Sequence, residues 1–311
     1  MKITTKALLA LCLLLVAEVA RAAAPETPKL SLAYIPISNF LTAYVAKDQG
    51  YFSAHGLDVT LIPINQGNTG VAGIVSKSVE LSTPTPTTFL QAVDNGVDLV
   101  IVAATHTYPT PNKVGLLVSA AGDVTSAKDL VGKKVGINGI GGMQFVLLQE
   151  WLTKQGVAPK SITFVEISFP QMADALQARQ VDAVTVSEPF YQRIVSSKAG
   201  RLLVDLQADI PAGTLGTMYV STGEWAKKNP GTIAAFRASL EDAARFIKAD
   251  PEAAKKSLIT YAKMSEQLLQ LVNVPSVTVA AAPSQMKFWI DLMDQQQLTT
   301  GTIDPKSIMA P

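Results

Sequence analysis

One order of elements, met twice along the chain, constrains the fold more than any other feature. "KLSLAYI" (29–35) is an apolar, strand-like run that ends in polar turn residues, and "LTAYVAKDQGYF" (41–52) has helical spacing, with Gly50 near its stop. "LDVTLIPI" (57–64) alternates like a strand, "TGVAGIVSKS" (69–78) reads as a helix, and "VELSTP" (79–84) as a strand halted by Pro84. "DLVIVAAT" (98–105) is a buried strand rich in β-branched residues. The order then returns. "KKVGING" answers the first strand, "VLLQEWLTKQGV" the first helix, "SITFVEI" the second strand, and "ADALQARQVDAVTVSEP" the helix and strand after it. Gly50 corresponds to Gly156 and Val79 to Val181, both offset by roughly a hundred residues. Structural duplication produces this pattern, and so do two chance runs of a common βαβ unit. Either way, strands separated by helices call for parallel pairing and an α/β fold.

After the second copy, "TLGTMYVSTGEWA" (214–226) reads as a strand running into a helix start, and from Pro230 onward the chain is mainly helical. The simplest topology is bilobal. One lobe takes residues 29–118 plus 213–311, with the C-terminal helices packed on it, and residues 119–212 form the other. Two strand-like crossings, expected at "LLVSAAGD" and "PAGTLGTM", then make a hinge.

The first 22 residues stand apart. Lys2 and Lys6 precede the apolar run "ALLALCLLLVA", and Ala20-Arg21-Ala22 has the form of a cleavage site, so residues 1–22 are expected to be a signal peptide. A membrane anchor is the competing reading, but the run is short for a span. A lipoprotein site is disfavoured by the bulky Leu11 before Cys12. Cys12 is the only cysteine and would leave with the leader, so the exported chain would be held together by packing alone. Removing Lys2, Lys6, Glu18 and Arg21 turns 26 basic and 25 acidic residues into 23 and 24. A near-neutral surface argues against nucleic acid or an anionic membrane as partner. The expectation is a periplasmic monomer.

Ligands of an open parallel sheet bind outside the carboxyl ends of its strands. Here those ends are "YIPISNF", "INQGNTG", "TPTPTTF", "ATHTYPTP", "NGIGGMQ", "ISFPQM" and "SEPFYQ". They hold hydroxyls, amides, glycines and aromatics, with no Lys or Arg before the flanking Lys113 and Arg193. A phosphate-handling enzyme would supply a cation or a metal-binding carboxylate pair here. The glycine loop from Asn138 invites comparison with a dinucleotide fingerprint, but G-x-G-x-x-G from Gly139 has Gln144 at its third glycine position. It reads either as backbone N–H groups opening a helix toward a small ligand or as a tight turn with no ligand. The chain has no G-x-S-x-G, no H-E-x-x-H and no cysteine pair. His55 reads as an exposed turn residue. His106 follows a strand end and is a pocket candidate. Glu188 either accepts from a ligand amine or ties down its own loop.

At "AKDQGYFSAHGLDVTLIP" and "VEISFPQMADALQARQVDAVTVSEPF" the chain resembles the substrate-binding proteins of nitrate/sulfonate/taurine-type ABC importers, which include binders of thiamine-related pyrimidines. The resemblance runs from about residue 29 to 300. It implies a type II periplasmic-binding-protein fold that closes on one solute and presents it to an ABC permease in the inner membrane, with no cofactor, no metal and no catalytic step. It further implies ligand contacts from Tyr34, Ser38 and Asn39; from Gln66, Gly67, Asn68 and Thr69; from Thr83, Pro84 and Thr85; and from Asn138, Gly141, Gly142, Met143 and Gln144. Phe169, Glu188 and Tyr219 complete the set. The sulfonate branch tends to carry hydroxyl residues at the second helix start, where this chain has Gly141, Gly142 and Met143. That departure, with Phe40, Tyr108, Phe145 and Phe190 also near strand ends, points to a small organic, aromatic or heterocyclic solute whose carboxylate or sulfonate would sit on helix N-termini. Some of these aromatics would instead be core. Two other readings stay open: an enzyme of thiamine-pyrimidine type on the same scaffold, and a soluble sensor that meets a receptor.

Overall fold

The computed structural model describes residues 24–311, so the expected signal peptide lies outside the described residues. Ten strands form two five-stranded sheets. The first holds β1 (Lys29–Tyr34), β2 (Asp58–Pro63), β3 (Leu81–Ser82), β4 (Leu99–Ala104) and β10 (Met218–Thr222), in the order β2-β1-β3-β10-β4. The second holds β5 (Val114–Ser119), β6 (Lys134–Ile137), β7 (Thr163–Glu166), β8 (Ala183–Ser187) and β9 (Gly200–Asp205), in the order β7-β6-β8-β5-β9. Adding five to β1–β4 maps one sheet onto the other, with β10 and β5 in equivalent places. The repeat in the sequence is therefore a repeat in topology.

The central strands behave as their composition dictates. All six residues of "LVIVAA" in β4 are buried, as are all five of "AVTVS" in β8, because helices cover both faces. β1 pairs in parallel with β2 and β3, and β6 in parallel with β7 and β8. The sheets are mixed rather than purely parallel. β10 runs antiparallel to β3 and β4, and β5 antiparallel to β8 and β9.

This pairing corrects the expected boundary after residue 118. β5 belongs wholly to the second sheet, so "LLVSAAGD" is a strand and its exit rather than a crossing. The physical reason is that an apolar "VGLLVS" run buries equally well in either sheet, and only its β8 and β9 partners decide which. The crossings are residues 105–113 and 206–217. They run antiparallel and bond to each other: Thr105 N–H donates to the Thr217 carbonyl (3.0 Å), Gly216 N–H to His106 (2.9 Å) and Tyr108 N–H to Thr214 (2.9 Å).

A C-terminal strap lies against these crossings. Ala104 N–H donates to the Val279 carbonyl (2.9 Å), Thr278 N–H to Thr105 (3.0 Å) and Leu215 N–H to Gln285 (3.0 Å). The Trp289 indole, fully buried, donates to the Leu215 carbonyl at 2.6 Å. The helix Pro230–Ala249 packs on Leu41–Asp48 and on Tyr51–Ala54, where Phe236 stacks on Phe52 at 5.6 Å. The helix Lys287–Gln295 packs on Pro86–Asp94, and Gln296 just beyond it donates to the Val146 carbonyl of the other half (3.0 Å).

Candidate functional site

The carboxyl ends of the parallel strands face each other across one cavity of about 50 Å³. Three helices start at its edge, each set by what precedes it. Gln66, in extended conformation, caps Gly67–Val75, and Gly142 caps Met143–Lys154, neither with a side-chain hydrogen bond. Thr85 caps Pro86–Asp94 by accepting from Thr88 N–H at 3.3 Å. The first and second of these helices therefore present backbone N–H groups that their own N-cap residues leave free, although Met143 N–H at the second is taken by Thr85 Oγ1 of the facing half.

Of the residues expected to bind, Asn39, Gln66, Gly67, Asn68, Thr85, Asn138, Gly142, Met143, Gln144 and Phe169 line the cavity. No lining side chain carries a formal charge. The lining comes from both halves, which touch around the cavity. Gln66 Nε2 donates to the Asn138 carbonyl (2.9 Å), Asn138 Nδ2 to the Asn65 carbonyl (3.1 Å), and Met143 N–H to Thr85 Oγ1 (3.3 Å). Ser38 N–H and Oγ both donate to the Glu188 carbonyl at 3.2 Å.

The other expected residues lie elsewhere. The Tyr34 hydroxyl donates to the Tyr261 carbonyl (3.2 Å), and its ring meets Tyr44 edge-on, so it anchors the C-terminal helices. Thr83 ties β3 to β1 by donating to the Ala33 carbonyl and accepting from Ile35 N–H, both at 3.3 Å. Tyr219 is buried, its hydroxyl 2.8 Å from Thr42 Oγ1. Thr69 is exposed and Pro84 buried, and neither lines the cavity. Gly141 serves closure instead: at φ +77°, its Cα lies under the Gln91 amide of the facing helix, where a Cβ would collide.

Two buried ionisable groups sit behind the lining. Burial lowers the His106 pKa to about 4 and keeps its ring neutral. Burial raises Glu188 to about 7, against the opposing pull of its Gln192 hydrogen bonds and of Lys113. Glu188 Oε1 accepts from Gln192 Nε2 (3.1 Å), which is the loop-tying alternative. Gln144 lines the cavity, yet its own half occupies its amide. With the oxygen toward Ser187 it accepts from Ser187 N–H (3.2 Å) and donates to the Thr185 carbonyl (3.0 Å).

Gly139 of the glycine loop and Phe145 of the strand-end aromatics also line the cavity, and so do Ile35, Ile37, Thr88, Ile140, Ser187 and Thr217, which the sequence did not single out as contacts. Most sit inside the strand-end segments it marked. Their residue types look like core or turn, which is why type alone passed them over. Among the described residues, no group of three or more His, Cys, Asp or Glu could hold a metal ion, and no helix is long and apolar enough to cross a membrane.

A family model described as NMT1/THI5 like matches residues 37–254. The nitrate/nitrite binding protein NrtA of Nostoc sp. is 25% identical over 254 residues, which cover 73% of this chain and 56% of that one. The chain thus spans just over half the length of that relative. The riboflavin-binding protein RibY of Chloroflexus aurantiacus is 28% identical over 250 residues, covering 78% and 69%. Among solved structures, the alkanesulfonate-binding protein SsuA of Xanthomonas axonopodis pv. citri bound to MOPS superposes with a TM-score of 0.77 at 21% identity, covering 91% of this chain and 98% of that one. The two sheets thus form the bilobal fold of periplasmic binding proteins.

Proposed function

Starting from the premise that this chain belongs to the NMT1/THI5-like family, we propose that it is the solute-binding component of an ABC importer. In this reading it is exported through a cleaved leader, works as a monomer in the periplasm, captures a small organic solute between its lobes and carries it to a permease in the inner membrane. The observation that carries the reading is the cavity itself. Both lobes contribute to it, no charged side chain lines it, and the helix starts after Gln66 and Gly142 open toward it with no cap from their own N-cap residues. Such a site holds a solute through amides, backbone N–H groups and apolar contact, and lobe closure supplies the rest. It asks for no reaction: His106, which meets the lining residue Asn39, is hydrogen-bonded to it and to Thr105. The relatives that bind nitrate, alkanesulfonate and riboflavin support solute capture. The apolar lining favours an organic solute over nitrate.

The test is a thermal-shift panel on the exported chain, with nitrate, sulfonates, aromatic carboxylates and pyrimidines. A ligand at a hundred times its Kd adds about 2.7 kcal/mol, enough to see in the melt. The expected result is a hit among the organic solutes that is recovered chemically unchanged. Recovery of a converted product would sink the reading in favour of an enzyme on this scaffold.

A further inference from the structure

Buried side-chain atoms without a partner are rare in folded proteins, and each calls for an explanation. Among the described residues these are Asn39 Oδ1 and one oxygen each of Ser82, Asn112, Gln149, Glu188, Gln207 and Gln296. Only Asn39 belongs to the cavity lining, and it is 3% exposed.

A chain of hydrogen bonds behind Asn39 decides which end of its amide stays free. Thr105 Oγ1 lies 3.0 Å from the Thr217 carbonyl and 2.5 Å from Thr217 Oγ1; with its one proton on the carbonyl, which can only accept, it accepts from the Thr217 hydroxyl. Its oxygen is then an acceptor for His106 Nδ1–H at 3.0 Å. A neutral imidazole with a proton on Nδ1 has an acceptor at Nε2, and Asn39 Nδ2 donates to it at 3.3 Å. Gly216 makes the arrangement possible, because a Cβ there would collide with Nε2. The amide nitrogen is therefore engaged, and the oxygen is left without a partner.

Resting on the reading of this cavity as a solute site, we infer that the solute donates a hydrogen bond to Asn39 Oδ1 while its own acceptor atoms face the first turns of the helices that start at Gly67 and Met143, where Thr85 takes only the Met143 N–H. The bound class is then small organic molecules with an N–H or O–H at one end and a carbonyl or carboxylate oxygen at the other. Acceptor-only anions leave Asn39 Oδ1 buried without a partner and bind poorly. Asn39 sets this specificity, and His106 is its positioning residue.

Matched solutes that differ only in the donor test this. Uracil is compared with 1,3-dimethyluracil, and 3-hydroxybenzoate with 3-methoxybenzoate, with nitrate and methanesulfonate as acceptor-only anions. Binding to the wild-type exported chain is read by calorimetry and melting temperature. The expected result is that, in at least one pair, the donor-bearing member binds roughly ten-fold or more tightly than its methylated partner. In Asn39→Leu that preference should disappear, but the wild-type comparison decides the question even if this variant fails to fold. Equal binding within the pairs, or strongest binding by nitrate or methanesulfonate, overturns the inference and leaves solute capture standing. A panel in which nothing binds overturns both.

Discussion

Glu188 and His106 show how burial moves a side chain's proton affinity, in Glu188 against the opposing pull of Lys113. Glu188 ionises near 4.5 when unfolded and near 7 when folded. Between those values the unfolded chain binds fewer protons, so this contribution to stability is full below pH 4.5 and lost as pH rises through 7. His106 has the opposite window. Its folded pKa of about 4 lies below the ordinary 6.5, so stability falls as pH drops from 6.5 toward 4. Glu188→Gln keeps the shape and removes the first contribution. Its stability should exceed the wild type's at pH 8 by on the order of 3 kcal/mol, read as a higher melting temperature, and match it at pH 4.5. An equal gain at both pH values would mean that Glu188 is not the group responsible. The same scale shows what a sequence conveys about a site. Asn39 and Gln66 were legible because they follow strand ends, and strand ends place residues at a ligand whatever the fold's details. Tyr34 and Tyr219 also sit at or within strands near that edge, but their rings turn inward. Their direction is set by the packing of Tyr44, Tyr261 and Thr42, which lie far from them in sequence or on other elements.

At the scale of elements, the glycine loop packs against the facing helix at Gln91 as well as lining the cavity. Gly141→Ala meets both an unfavourable φ and the Gln91 amide. It should cost about 1 kcal/mol in stability and weaken binding of whatever solute the panel identifies. Adding Gln91→Ala should recover part of the binding, because it clears the collision but leaves the backbone strain. If the double variant binds no better than the single, the contact with Gln91 has no part in closure. The strap is the second element with consequences. Trp289 fills the space behind the crossings and bonds to Leu215, so Trp289→Ala should destabilise by roughly 3–5 kcal/mol in denaturant melts. The strands and helices assigned from the sequence in both repeats were legible from their periodicity; the helices Pro86–Asp94 and Phe190–Ser196 and the strand β9 were not among them. The place of β5 was not, because an apolar run carries no mark of which sheet it joins, and the strap's irregular backbone bonds have no periodic pattern to betray them.

At the scale of the molecule, the contacts between Gln66 and Asn138, and between Thr85 and Met143, hold the lobes together on the side away from the crossings. Removing the first with Gln66→Ala should shift the ligand-free population toward an open form, seen as a larger radius of gyration in solution scattering, while saturating solute restores the compact value. An unchanged radius without solute would show that the crossings alone set the angle. The two-lobe plan was legible in the repeat; the seam was not, since it joins residues 58 to 73 positions apart through side chains that look like ordinary loop polar groups. The strand orders carry one more consequence, and it concerns time. Every strand of the second sheet lies between residues 114 and 205, so that sheet is complete once the chain has emerged that far. The first sheet has four strands by residue 104, yet its interior place between β3 and β4 waits for β10 at 218–222. A chain delivered amino terminus first therefore finishes its later half before its earlier one. The half made first waits, its sheet split down the middle, for a strand that arrives more than a hundred residues later.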